Sequence, residues 1–202
     1  MSRKSKPTGP SDKQLRELLI RYKCPTPFHA ARTLFLGQIA SPDFSVSPMN
    51  AVRHLWHGEM PEFENEAAAR TLMEGLVNGL WNRLTDHQNK RHPFHLTRMN
   101  PPTDALTFAR YTRVRREELR GFADGLFGDE QAMDLPETAH HAMHHLTEIR
   151  GFMEAMGALS NADDLLNTID QTARDLVELT RIAEIEMNAA VLSCSNARRQ
   201  RL

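Results

Sequence analysis

Glu118-Leu119-Arg120-Gly121-Phe122-Ala123-Asp124 returns thirty positions later as Glu148-Ile149-Arg150-Gly151-Phe152-Met153-Glu154. Both copies lie among apolar residues that recur at threes and fours, the period of a helix. A glycine inside a helix costs about 1 kcal/mol relative to alanine, so it usually sits where something must come close. The doubled block therefore predicts two helices, roughly 103–127 and 135–159. They are expected to meet with Gly121 and Gly151 near their contact and with Phe122 and Phe152 filling the space beside it.

On the N-terminal side, Ser11 reads as the cap of a first helix with Leu15, Leu18, Leu19 and Tyr22 on one face, stopped by Pro25. Thr26-Pro27 reads as a cap followed by proline at the first helical position, opening a helix to about Ala40. Ser47-Pro48 repeats that signal for a third helix, which carries Val52, Leu55 and Trp56 and ends at Gly58. From Glu64 to Asp86 runs a long amphipathic pattern, Leu72, Leu76, Leu80 and Leu84 among its apolar positions, interrupted by Gly75 and Gly79. The stretch His87 to Pro102 is polar and broken by prolines, so it reads as the longest loop, a feature that is usually functional or mobile.

On the C-terminal side, a last helix runs from about Asn161 to Ser193. Leu166, Ile169, Ala173, Leu176, Thr180, Ala183, Met187 and Ala190 form a heptad-spaced seam. That seam suits an ordinary bundle helix or self-association through a coiled coil. No stretch alternates as a strand between turn signals. The expected fold is all-α, a single-domain bundle of about seven helices with a long C-terminal helix. Residues 1–10 read as a disordered basic arm, 11–193 as the helical domain and 194–202 as a basic tail that frays.

The 202 residues are 40% apolar and 25% charged, with a formal net charge of -1, an ordinary globular balance without a bulk field for nucleic acid or membrane. Two cysteines, Cys24 and Cys194, lie far apart, which fits free thiols in a reducing compartment. No run approaches the ~20 apolar residues of a membrane span, and Met1 to Lys6 leads into prolines rather than an apolar signal core. A cytoplasmic protein is expected.

Two clusters carry candidate chemistry. On the second helix of the doubled pair, Glu137, His141, His144 and Glu148 fall within about 60° of one another, opposite Leu135, Ala139, Ala142, Leu146, Ile149 and Met153. Imidazoles and carboxylates at such spacing can hold a divalent transition metal, although a solvated face lacks the outer partners that orient ligands. Glu137 to His140 is the sole Glu-x-x-His, which argues against a di-iron bundle. On the first helix, Arg110, Arg113, Arg116 and Arg120 form a stripe with Arg115 beside it, suited to phosphates or an acidic protein partner. Glu117 and Glu118 dilute the stripe, and its Arg116–Arg120 end tilts toward the apolar side. There is no P-loop, no dinucleotide-binding glycine pattern and no nucleophile elbow. Neither cysteine has a local acid–base setting.

Several of these residues together resemble the YecA/YgfB-like family of uncharacterised bacterial proteins. They are Phe35-Leu36-Gly37, Ser47-Pro48 leading to Leu55-Trp56, Pro61-Glu62-Phe63, Leu72 and Leu76 with Trp81-Asn82-Arg83-Leu84, and Arg120-Gly121-Phe122 with Gly125. The resemblance runs from about Thr33 to Leu126. It departs at Glu118, where the family often has an aromatic residue, and in lacking the cysteine-rich zinc-binding tail of some members. The resemblance implies an all-helical fold of unassigned activity and carries over no catalytic residue.

The expectation is thus a non-enzymatic helical interaction or regulatory protein without a cofactor. It would use the Arg110–Arg120 stripe toward an unknown protein partner, or its last helix toward a second copy. The alternative is a metal-binding protein or metal-dependent enzyme using Glu137, His141, His144 and Glu148. A third reading is nucleic-acid binding through the basic arms, which would weaken steeply with salt.

Overall fold

In the computed structural model, residues 9–42, 46–128, 133–159 and 163–200 are described, with side chains throughout except at 158, 159 and 163–168. The helices are α1 (Asp12–Arg21), α2 (Phe28–Ala40), α3 (Pro48–His54), α4 (Glu66–Met73), α5 (Asn82–Thr85), α6 (Ala105–Phe127), α7 (Glu137–Leu159) and α8 (Asp163–Gln200). A π-helical stretch, Glu74–Trp81, joins α4 to α5 into one rod, so the described residues form seven helical units and no strand.

α2 is the axis of the molecule. Eleven of its 13 residues are buried, which explains why it is apolar nearly all round rather than on one stripe. Its start differs from the expected cap. The helix begins at Phe28 with Pro27 in the cap position, and the Thr26 hydroxyl instead donates to the Leu55 carbonyl at 2.9 Å. Ser11 and Ser47 cap α1 and α3 as their sequences predict, accepting from the Gln14 and Asn50 amides.

The most extensive helix contact is that of α2 with α6, and glycines on both sides make it. A Cβ placed on Gly121 would lie 2.7 Å from the Ala30 carbonyl oxygen. One on Gly125 would collide with the Leu34 carbonyl, and one on Gly37 with the Phe122 carbonyl. Backbone meets backbone here, an approach no larger residue permits. Phe122 fills the adjoining space and is wholly buried.

This corrects the expected pairing. Gly121 packs on α2 rather than α7, and Gly151 has nothing within 4 Å of a built Cβ. Phe152 remains 50% exposed. α7 does run beside α6, and also beside α8; its Ala139, Ala142, Leu146, Ile149 and Met153 are buried, and Gly157 closes on Thr112 of α6.

Ala173, Leu176, Ala183, Met187 and Ala190 of the α8 seam are buried within the chain, and Thr180 bonds Tyr111 through their hydroxyls at 2.8 Å. Self-association through α8 would therefore have to use its outer side. The helix also continues past 193 instead of fraying. Cys194 and Ser195 are buried, and Arg198 donates to the carbonyls of Ile39 at 2.9 Å and Ser41 at 3.2 Å. Of the N-terminal arm, 1–8 lie outside the described residues. Pro10 presses on Gly79, where a Cβ would lie 2.7 Å from its Cδ.

Candidate functional site

α6 starts from an Asp104 cap closed by Thr107, and its outward side carries the predicted arginines. Arg110, Arg113 and Arg120 are exposed and Arg116 is half-buried. Arg116 approaches Glu154 of α7 at 3.9 Å, and Arg120 approaches Asp124 at 3.4 Å, both exposed pairs of small energetic value. Arg110 and Arg113 have no ion-pair partner among the described residues. The stripe is thus real, and its freest cations are at its N-terminal end.

The arginine that turns inward is Arg115, not the Arg116–Arg120 end. Arg115 is 3% exposed and pairs with Glu118, which is fully buried. The Glu118 carboxylate also accepts from the Thr97 amide at 2.8 Å, and Arg115 donates to the Thr97 carbonyl at 2.5 Å. The guanidinium stacks over Tyr111, 5.1 Å from the ring centre. A buried pair of this kind adds little net stability against an apolar substitute, but losing one member is costly. Its role here is to hold the chain at Thr97.

That clamp belongs to a longer one. Between 94 and 97 the connection runs as a strap, neither helix nor strand, whose main chain is bonded by side chains. Asn188 of α8 accepts from the Phe94 amide at 2.7 Å and donates to its carbonyl at 2.9 Å. Glu184 accepts from the Leu96 amide at 2.9 Å, and Arg32 of α2 donates to the His95 carbonyl at 3.0 Å. Buried backbone groups must be paired somewhere, and here polar side chains do what a neighbouring strand would do. The loop expected to be functional or mobile is a pinned strap at its centre.

The histidine face stands in solvent. His141 lies 4.0 Å from Glu137 and His144 lies 3.5 Å from Glu148, two separate pairs one turn apart along α7. His145 reaches Glu186 of α8 at 3.0 Å. Among the described residues, no group of three or more His, Cys, Asp or Glu converges as a metal site. The neighbouring His140 and His144 line a pocket of about 360 Å³ with Met133 and Met143, a set of imidazole and thioether donors that the Glu/His pattern did not single out.

Burial pushes both thiols, Cys24 and Cys194, up to about 11, so neither is a thiolate near neutral pH. A further cluster escaped the sequence reading because its members come from three separate segments. Asp12, Arg32, Arg83, Asp86, His87 and His92 line a cleft of about 400 Å³ where the strap begins.

No family model matches the chain, and no curated protein or solved structure is significantly similar to it.

Proposed function

We propose that this is a non-enzymatic helical interaction protein that docks an acidic partner segment on the outward side of α6. The observation that carries the reading is the exposure of Arg110 and Arg113 without a carboxylate partner among the described residues, on a helix seated against α2 by backbone contact. Rigid seating lowers the ordering cost of binding, and arginine forks suit carboxylates. The kinship with the YecA/YgfB-like family is part of this proposal. Gly37, Gly121 and Gly125, three of the residues that carry the resemblance, lie in the α2–α6 crossing, and the resemblance brings no site with it. The setting is the bacterial cytoplasm. No described helix is long and apolar enough to cross a membrane.

Titration with a fluorescent peptide of alternating glutamate and leucine tests the surface. Saturable binding that weakens with salt and is lost in Arg110→Glu with Arg113→Glu is the expected result. Equal binding by the variant removes α6 from the interaction.

A second reading, metal binding by α7, is favoured by the Met133, Met143, His140 and His144 pocket beside the Glu137, His141, His144 and Glu148 face. Metal content of protein purified without a histidine tag decides it. Metal that is near one per chain and lost in His140→Ala with His144→Ala supports it, and metal unchanged in that variant defeats it.

A further inference from the structure

The cleft at the start of the strap is balanced in formal charge, two arginines against two aspartates, but one of the arginines is left without an ion-pair partner among the described residues. Arg32 and Arg83 stand in its wall with Asp12 and Asp86. Arg83 donates to Asp12 at 2.6 Å, so that carboxylate is already engaged. Arg32 has no carboxylate within ion-pair distance among the described residues. Its guanidinium lies 4.8 Å from the centre of the Phe94 ring and gives one hydrogen bond, to the His95 carbonyl.

An arginine offers five N–H donors, and the stacked, half-buried Arg32 therefore keeps donors in reserve. Burial is also the main influence on its pKa and pulls it below the usual guanidinium value, ahead of the opposing pull of Asp12 and Glu118. Partial dehydration without a counterion is a standing electrostatic cost that a bound anion would relieve.

The turn between His87 and His92 of the wall carries further cations. Lys90 and Arg91 are exposed in the turn that leads from Gln88 to His92. The end of α8 is tied to the same turn, with Arg198 donating to the Gln88 side chain at 3.0 Å and Arg199 to its carbonyl at 3.2 Å. Arg32 of α2 and Arg83 of the α4–α5 rod thus stand in the cleft wall, and the turn between its His87 and His92 carries Lys90 and Arg91 and is held by the end of α8. His87 completes the wall, oriented by its Nδ1 contact with the His92 carbonyl at 2.8 Å and by an edge-on contact with Phe94.

We propose that this cleft binds a small phosphate-bearing ligand, anchored by Arg32 and seconded by Arg83, with Lys90, Arg91 and Arg199 drawing it in. A volume of about 400 Å³ lies at the small end of ligand pockets, fitting a phosphomonoester of a compact metabolite better than a dinucleotide. Arginine forks match phosphate oxygens two at a time, which point charges do not. The site is separate from the α6 face and does not depend on it.

Calorimetric titration of the full chain with ribose 5-phosphate, inorganic phosphate, ribose and a short single-stranded oligonucleotide tests the assignment. The sugar phosphate should bind saturably and move the His87 and His92 ring resonances, while ribose does neither. Arg32→Lys, which keeps the charge and loses the fork, should weaken binding about tenfold or more with an unchanged melting curve. Lys90→Ala with Arg91→Ala, confined to the exposed turn, should weaken it by a smaller factor and covers the case in which Arg32→Lys loosens the strap. Inorganic phosphate binding as tightly as the sugar phosphate identifies the free ion as the ligand and keeps the site. No saturable binding by either, or the same affinity in both variants as in the unaltered chain, overturns the proposal. So does an oligonucleotide that binds more tightly than the sugar phosphate and displaces it, because the arginines would then belong to a polyanion surface and not to a small-ligand site.

Discussion

The two copies of the Arg-Gly-Phe block differ little in sequence and have opposite surroundings. In the first, Gly121 lies on the backbone of α2 and Phe122 is wholly buried; in the second, Gly151 faces open space and Phe152 is half exposed. Glu118 is closed in with Arg115, while its counterpart Glu148 stands in water beside His144. Leu119 and Ile149 are buried in both. The repeat therefore sets which residues are apolar but not how each helix is rotated about its axis. Rotation is decided outside the block. Where the first copy continues to Gly125, the second has Ala155, and Gly125 is the position at which a Cβ would strike the Leu34 carbonyl. Only the first copy can cross α2.

The contrast breaks most sharply at phenylalanine. Phe122→Ala should cost about 3–5 kcal/mol, the range for removing a fully buried ring, whereas Phe152→Ala should stay within about 0.5 kcal/mol. Urea denaturation of both variants checks this, and equal losses would mean that Phe152 is covered in solution. Next comes Gly125→Ala, which writes the second copy's residue into the first. The obstacle is main chain on both sides and cannot swing away, so a loss of about 3 kcal/mol is expected. A neutral result would require the α2–α6 crossing to be looser than described. Glu118→Gln should cost about 2 kcal/mol, because Arg115 stays buried with its charge unmet, and Glu148→Gln close to nothing. The first variant should also speed amide exchange at Leu96 and Thr97, a local loosening that general destabilisation would not confine to the strap.

Helix starts were readable because a cap is a local event. Ser11 bonds a residue three positions away, and so does Ser47. The α8 seam was readable because its period persists for several turns. The strap was not, since the partners of Phe94 lie 94 positions away in sequence and a run from Phe94 to Thr97 is too short to show alternation. The arginine stripe was legible to within a single residue. Neighbouring positions on a helix point about 100° apart, and that is all that separates inward Arg115 from half-exposed Arg116. Spacing could not choose between them, because the choice depends on Glu118 and the Thr97 backbone arriving from elsewhere. The phosphate cleft was beyond reach for the same reason. Arg32 lies inside an apolar helix pattern, and nothing local marks it as a wall.

A modest change at the second glycine is the most discriminating. At Gly151 the helix carries the cost of a flexible residue with no close approach in return. Gly151→Ala should therefore stabilise the chain by about 1 kcal/mol, which for a domain of this size raises the melting temperature by about 2–4 °C. The sign carries the information. A loss of stability would mean that a Cβ at this position meets something, and the described residues offer nothing within 4 Å for it to meet. The obstacle would have to be a second copy or a partner lying along the outer side of α7. Phe152 would then be an interface residue, and the loss on Gly151→Ala should diminish on dilution as a self-associated form dissociates. If stability rises, and by the same amount at every protein concentration, the outer side of α7 is free in the isolated chain and the second glycine serves no contact within it.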